Sequence, residues 1–232
     1  MLKHDLKKWA GSCYVNILDS GSRVKGTAIS LASDVDYLIS LSSSCNENEG
    51  GLKGIYDSLY DFLRPKFNPV RKQNVSFRIN LNGLEIDITP ARKHSGNTSD
   101  HWLHLSKANS WKQTNIQRHI TDISTSGRTD EIKLLKIWRE LNSLDFPSVY
   151  LEYLVLSILF GKSKSVTSLA DNFWHVLLEL SKEKGNPLFS RIIDPANTAN
   201  ILSDLLNVSE KNLIISQAKK AVESTNWNQI VN

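Results

Sequence analysis

The chain has 232 residues, 40% of them hydrophobic, and 28 Lys and Arg against 24 Asp and Glu give a formal net charge of +4. That is enough apolar material for a sizeable core, in one domain or two small ones, while the charge argues only weakly for phosphate-bearing partners. Two cysteines, Cys13 and Cys45, without C-x-x-C spacing, and six histidines with no cysteine at ligand spacing speak against a thiolate zinc site.

The first residues, MLKHDLKKWAG, are charged throughout and lack the apolar core of a signal peptide; residues 2–10 read as a short helix. A helical turn is expected at Gly21-Ser22, then a strand in VDYLISL from Val35 to Leu41. The polar run SSSCNENEGG (42–51) reads as a loop. Leu52, Ile55, Tyr56, Leu59, Tyr60 and Leu63 recur at helical spacing until Pro65, which predicts a helix packed on a sheet. VSFRINL and LEIDITP flank Asn82-Gly83, a pair suited to the positive φ angles of a type I′ hairpin. In the second strand Ile86 and Ile88 share one face, and Glu85, Asp87 and Thr89 share the other.

After the polar loop HSGNTSDH (94–101) the pattern turns helical. Ile132, Leu135, Trp138 and Leu141 repeat at helical spacing, with Thr129 as the expected N-cap and Asp130 and Glu131 in the first turn. Further helices are expected at 148–160, 169–184 and 210–224. The most apolar stretch, YLEYLVLSILF, is interrupted by Glu152 and too short to span a bilayer. A soluble, cytoplasmic protein without a membrane partner is the simplest expectation. The fold class is α+β: a mixed sheet with flanking helices over residues 1–105, then a helical lobe over 106–232.

The stretch DSGSRVKGTAISLASDVD, from Asp19 to Asp36, carries the chemistry. Gly21 lets backbone approach a phosphate closely, and Ser22 offers a hydroxyl and an amide at a helix start. Asp34 and Asp36 lie two apart on a strand, so both carboxylates point the same way, about 7 Å apart along the backbone. Asp87 adds a third carboxylate from the hairpin. Magnesium prefers oxygen ligands, and two cations can stabilise the attacking and departing oxygens of an in-line nucleotidyl transfer. Asp34 and Asp36 would bridge both ions, and Asp87 would complete the ion that lowers the attacking hydroxyl's pKa. Mg²⁺ or Mn²⁺ is the expected cofactor.

The pattern G-S-x-x-x-G-T-x-x-x-x-x-S-D-x-D resembles the DNA polymerase β-type nucleotidyltransferase superfamily, in particular its oligoadenylate synthase and cyclic GMP-AMP synthase-like branch, with the bacterial cyclic-oligonucleotide synthases. EIDITPA around Asp87, IKLLKIWRELN with FPSVYLEYL, and DPANTAN (194–200) are similar to later parts of that family. The resemblance implies a nucleotidyltransferase core followed by a helical lobe that closes over the nucleotide. It places Lys136 and Ser148 on the triphosphate together with Gly21 and Ser22. It also implies NTP substrates (ATP above all), a second nucleotide as acceptor, a nucleic-acid or protein activator, and a role in antiviral defence.

Other readings attach to several of these residues. Lys136 suits a solvated helix face, and Ser148 after Pro147 suits an N-cap. Trp138 reads as core, while Tyr150 fits either core or base stacking. Glu85 is a decoy beside Asp87. Glu152 could serve a cationic acceptor if the enzyme modified a small molecule such as an antibiotic. An RNA nucleotidyltransferase and a silent nucleotide-binding module complete the alternatives.

Overall fold

The computed structural model describes residues 1–31, 34–46, 50–96 and 98–231. Ala32 and Ser33 of the Asp19–Asp36 stretch, together with 47–49 and 97 in the two expected polar loops, lie outside the described residues. The chain forms two compact units, one of residues 1–24 and 34–120, the other of residues 25–33 and 121–232.

The first unit is built on a seven-stranded mixed sheet. Its elements in chain order are α1 (Leu2–Ala10), β1 (Tyr14–Ser20), the short α2 opening at Gly21 (Gly21–Lys25), β2 (Val35–Leu41), α3 (Gly51–Leu63), β3 (Arg71–Lys72), β4 (Phe77–Leu81), β5 (Leu84–Lys93), β6 (His101–Leu105) and β7 (Ser110–Thr114). The order is β1-β2-β5-β4-β3, and β6 and β7 continue from the far end of β5. Among the described residues only the β2–β5 pairing is parallel; β1–β2, β3–β4, β4–β5, β5–β6 and β6–β7 are antiparallel. Asn82 and Gly83 take φ of 54° and 84°, the double positive φ that the hairpin between β4 and β5 requires.

Alternation along these strands separates the two faces of the sheet. Ile39, Leu41, Phe77, Ile79, Ile86 and Ile88 join Leu6 of α1 and Ile55, Leu59 and Leu63 of α3 in one apolar cluster. Each such side chain contributes about 1.5–3 kcal/mol by leaving water. Asp36 and Asp87 lie on the opposite face, where Leu38 and Ala91 pack with Leu103. Cys13 and Cys45 are joined by a disulfide that ties the start of β1 to the loop after β2, a pairing that their sequence spacing does not announce.

One sequence expectation fails in this unit. Helical character does not begin directly after the polar loop, because HWLHL and SWKQT form the β6–β7 hairpin, with Asn109 at φ 44° in its turn. The signal was the alternation of Trp102, His104 and Trp111, Gln113, which is weak because polar residues occupy both faces.

The second unit holds α4 (Ile116–Ser124, which it shares with the end of the first), α5 (Thr129–Leu141), α6 (Ser148–Ile158), α7 (Leu169–Ser181), a small hairpin of β8 (Ile193–Asp194) and β9 (Asn197–Ile201), α8 (Val208–Glu223) and α9 (Asn228–Val231). Trp138, Phe146, Tyr150, Leu154, Phe173 and Leu177 lie in its core. Asn207 and Glu210 form a reciprocal capping box at the start of α8.

Thr129 is not the N-cap of α5: it is the first helical residue, after Arg128. Arg128 is buried, and its guanidinium donates to Glu131 and to the carbonyls of Leu159, Lys162 and Ser163. Those carbonyls follow the end of α6, so a buried cation ties down the turn that leaves the helix. DPANTAN forms the β8–β9 turn, in which Asp194 accepts from the amide of Ala196 at 2.9 Å. Among the described residues, no helix is long and apolar enough to cross a membrane.

Candidate active site

Register sets the first half of the candidate site. Ser20 pairs with Asp36 across β1–β2, Asp36 with Asp87 across β2–β5, Asp87 with Arg78 across β5–β4, and Arg78 with Arg71 across β4–β3. Paired residues point to the same face, with strands about 4.8 Å apart, so these side chains form one row across the sheet. Asp34, just before β2, and Glu85, two before Asp87, flank the row.

Gly21, where α2 opens after β1, lies hard against this row. Its φ is +72°, and a Cβ there would stand 1.7 Å from the Asp36 carboxylate oxygen Oδ2. Both the backbone angle and the close approach therefore require glycine. Ser22 follows in the first turn of α2 and is half-buried.

Arg78 is the residue that sequence reasoning missed. Its Nε donates to Asp87 Oδ1 at 2.7 Å and its Nη2 to Asp87 Oδ2 at 2.8 Å; Nη1 donates to Glu85 Oε2 at 2.8 Å, and Nη2 also reaches Asp34 Oδ2. Gln73 adds a donor to Asp87 at 3.2 Å. Counting back from Asn82-Gly83 puts Arg78 opposite Asp87, so the hairpin register contained the signal. Glu85 is engaged by Arg78 and lies 3.9 Å from Arg71.

Burial raises the Asp34 carboxyl above its ordinary value; Arg78 opposes the shift, while Asp87 and Glu85 add to it. Arg78 is held more firmly protonated, first by its hydrogen bonds to Asp87. Asp34, Asp36, Asp87 and Glu85 thus share this face with Arg78 and Arg71.

The oxygen donors of Asp34, Asp36 and Asp87 suit a hard divalent cation. Among the described residues, however, no group of three or more acidic, His or Cys side chains is already gathered to hold a metal. The donor chemistry fits, and Arg78 stands among the donors.

The other expected nucleotide contacts lie in the second unit. Lys136 is not on a solvated face: it is 2% exposed. Its Nζ donates to Glu152 Oε1 at 2.7 Å and to the Thr27 hydroxyl at 3.0 Å. Lys25 donates to Glu152 Oε2 at 2.8 Å, and Thr27 donates to Oε1 at 3.2 Å. Glu152 is buried, and with both oxygens committed to protein donors it does not match the role of acidic anchor for a cationic acceptor. Burial pushes its carboxyl up, but Lys25 and Lys136 outweigh that and hold it below the usual range. Lys136 is lowered, because burial outweighs a carboxylate that it shares with Lys25.

Ser148 is the first residue of α6 and makes no side-chain cap; its hydroxyl accepts from Arg139 Nη1 at 3.0 Å. Trp138 is core, and so is Tyr150, whose hydroxyl donates to the Leu188 carbonyl at 2.9 Å, which rules out base stacking in this conformation. Thr27 of the Gly26-Thr27 pair gained its place only in three dimensions.

Two predictions follow from this geometry. Gly26 has the same φ of +72° as Gly21, but a Cβ there meets nothing nearer than 3.7 Å. Gly26→Ala should therefore cost about 1–2 kcal/mol of backbone strain, and Gly21→Ala clearly more, measured by urea unfolding of the two variants. Equal losses would mean that the contact with Asp36 yields without cost.

Glu152→Gln should destabilise the protein by about 3–5 kcal/mol at neutral pH, since it strands buried lysines. The lowered carboxyl stabilises the fold fully above its unfolded value of 4.5 and loses that contribution as pH falls through the lower folded value. The gap between wild type and variant should shrink on acidification; a gap that widens in acid would contradict the assignment.

No protein-family model matches the sequence. The cyclic AMP-AMP-AMP synthase of Escherichia coli (strain MS 115-1) is 29% identical over 161 residues, 63% of this chain and 49% of the relative. The chain thus spans about half the length of the curated relative it matches. The solved complex of E. coli MS115-1 CdnC with HORMA-deltaN superposes with a TM-score of 0.68 at 25% identity, covering 96% of this chain and 79% of that one. CdnC with ATP gives a TM-score of 0.69 at 24% identity, covering 96% and 80%. In sequence the chain is similar to the E. coli cyclic AMP-AMP-AMP synthase, and in its α+β fold it is similar to the solved CdnC structures.

Proposed function

We propose that the protein transfers a nucleoside monophosphate from an NTP to a hydroxyl of a second nucleotide, releasing pyrophosphate and making linear or cyclic oligonucleotides. The observation that carries this reading is the row in which Asp36 and Asp87 stand side by side on parallel strands, with the Gly21 backbone against the Asp36 carboxylate. Its homology to a cyclic oligonucleotide synthase supports the choice of acceptor.

In this reading Asp34, Asp36 and Asp87 hold Mg²⁺ or Mn²⁺. The bound ions would neutralise charge on the triphosphate and lower the pKa of the attacking hydroxyl. Gly21 keeps the backbone low enough for a phosphate to approach, and Ser22 presents its amide and hydroxyl there. Lys136, fixed by Glu152 and Thr27, and Ser148, fixed by Arg139, serve the triphosphate from the helical lobe. The division into a catalytic core over 1–105 and a helical lobe over 106–232 belongs to the same proposal. So do ATP as a substrate, a protein or nucleic-acid activator, a role in antiviral defence, and residence in the cytoplasm, where nucleoside triphosphates are made. The related E. coli protein has been solved with a HORMA partner, which favours a protein activator.

The test is incubation of pure protein with each labelled NTP and Mg²⁺ or Mn²⁺, with product masses and pyrophosphate measured. Phosphodiester-linked products are expected, and Asp34→Asn or Asp36→Asn should abolish them with the fold intact, since each removes a charge that both ions need. Near-normal activity in either variant would sink the mechanism. Silence with mixed NTPs, followed by turnover on adding an aminoglycoside, would move the protein to the antibiotic-modifying class. The saturated bonding of Glu152 counts against that outcome.

A further inference from the structure

We infer that Arg78 is a built-in counter-cation of the carboxylate row, engaging Asp34 and Asp87, so that a divalent cation binds in competition with its guanidinium. The inference rests on the metal-site reading proposed above and adds to it a residue of this chain that sets the strength of metal binding.

Three observations carry it. First, the guanidinium uses all three nitrogens on acidic partners: Nε and Nη2 on Asp87, Nη1 on Glu85, and Nη2 on Asp34. Two of those partners are the residues expected to hold metal. Second, the contact is dictated by register, because Arg78 is the direct cross-strand partner of Asp87 and must share its face. Third, these carboxylates converge on the guanidinium, while no group of three acidic, His or Cys side chains among the described residues is gathered for a metal.

A planar fork that bridges two carboxylates neutralises them as a cation would, and it is never lost by deprotonation. Each oxygen it engages must be released, or shared, before a small divalent ion can use it. The opposite role would be a clamp that shapes the carboxylates for the ion. The two roles predict changes of opposite sign when the charge is removed.

The experiment is Mn²⁺ binding without nucleotide, measured by electron paramagnetic resonance and by calorimetry, on wild type, Arg78→Gln, Arg78→Lys and Asp36→Asn. Removing one positive charge at contact distance from a dication's ligands should tighten Mn²⁺ binding on the order of tenfold or more in Arg78→Gln. Arg78→Lys, which keeps the charge but cannot bridge two carboxylates, should fall between that variant and wild type. Metal-free Arg78→Gln should melt lower than wild type, and Mn²⁺ should raise its melting temperature by more than it raises that of wild type.

Unchanged or weaker Mn²⁺ binding in Arg78→Gln, still abolished by Asp36→Asn, would overturn the inference and leave the metal site standing. Absence of Mn²⁺ binding in every variant would overturn both. Should Arg78→Gln fail to fold without metal, Arg78→Lys decides: affinity at or below that of wild type overturns the inference.

Discussion

Four carboxylates on one face of one sheet repel each other, and much of the first unit can be understood as the accommodation of that repulsion. Asp36 and Asp87 are neighbours because β2 and β5 run parallel and in register; Glu85 follows from the two-residue period of β5, and Asp34 stands just before β2. A stable fold must supply positive charge to this face. The protein does so with Arg78, delivered by the β4–β5 hairpin to the position opposite Asp87. The apolar side of the same strands carries the packing against α1 and α3, so the register that builds the core also builds the charged row. A one-residue slip would lose both.

The second unit meets a similar problem with the opposite sign. Glu152 is buried and shared by Lys25 and Lys136, which leaves an excess of positive charge away from water. Burying charge is costly unless every group finds a partner, and here Thr27 closes the network by accepting from Lys136 and donating to Glu152. Lys136 therefore loses part of its hold on its proton while Glu152 keeps its charge. An under-compensated cation of this kind is suited to meeting further negative charge, such as that of a triphosphate.

The sequence made the local structure readable where one signal dominated. Asn82-Gly83 gave the hairpin, Pro65 and the apolar repeat gave α3, and the alternation in EIDIT gave the faces of β5. Gly21 and Asp36 were legible as motif residues, yet their contact depends on where α2 opens beside β2, which no spacing encodes. Lys136 illustrates a different limit. An amphipathic repeat reports which side of a helix is apolar but not that a buried glutamate and a threonine far away in sequence await a lysine there. The β6–β7 hairpin was missed because its polar and aromatic residues occupy both faces, and Arg128 displaced the expected cap because it serves carbonyls after α6. Arg78 was readable in principle from the hairpin register, but only once Asp87 was taken as a fixed point.

The central claim is that the row of Asp34, Asp36 and Asp87 is the metal-binding and nucleotide-binding centre. The most direct test is a crystal structure of the protein with Mn²⁺ and a non-hydrolysable ATP analogue, read through the anomalous signal of the manganese. The account predicts manganese about 2 Å from carboxylate oxygens of these three aspartates, with the triphosphate against the Gly21-Ser22 turn. Manganese and nucleotide bound elsewhere, with Arg78 still closing the carboxylates, would contradict it.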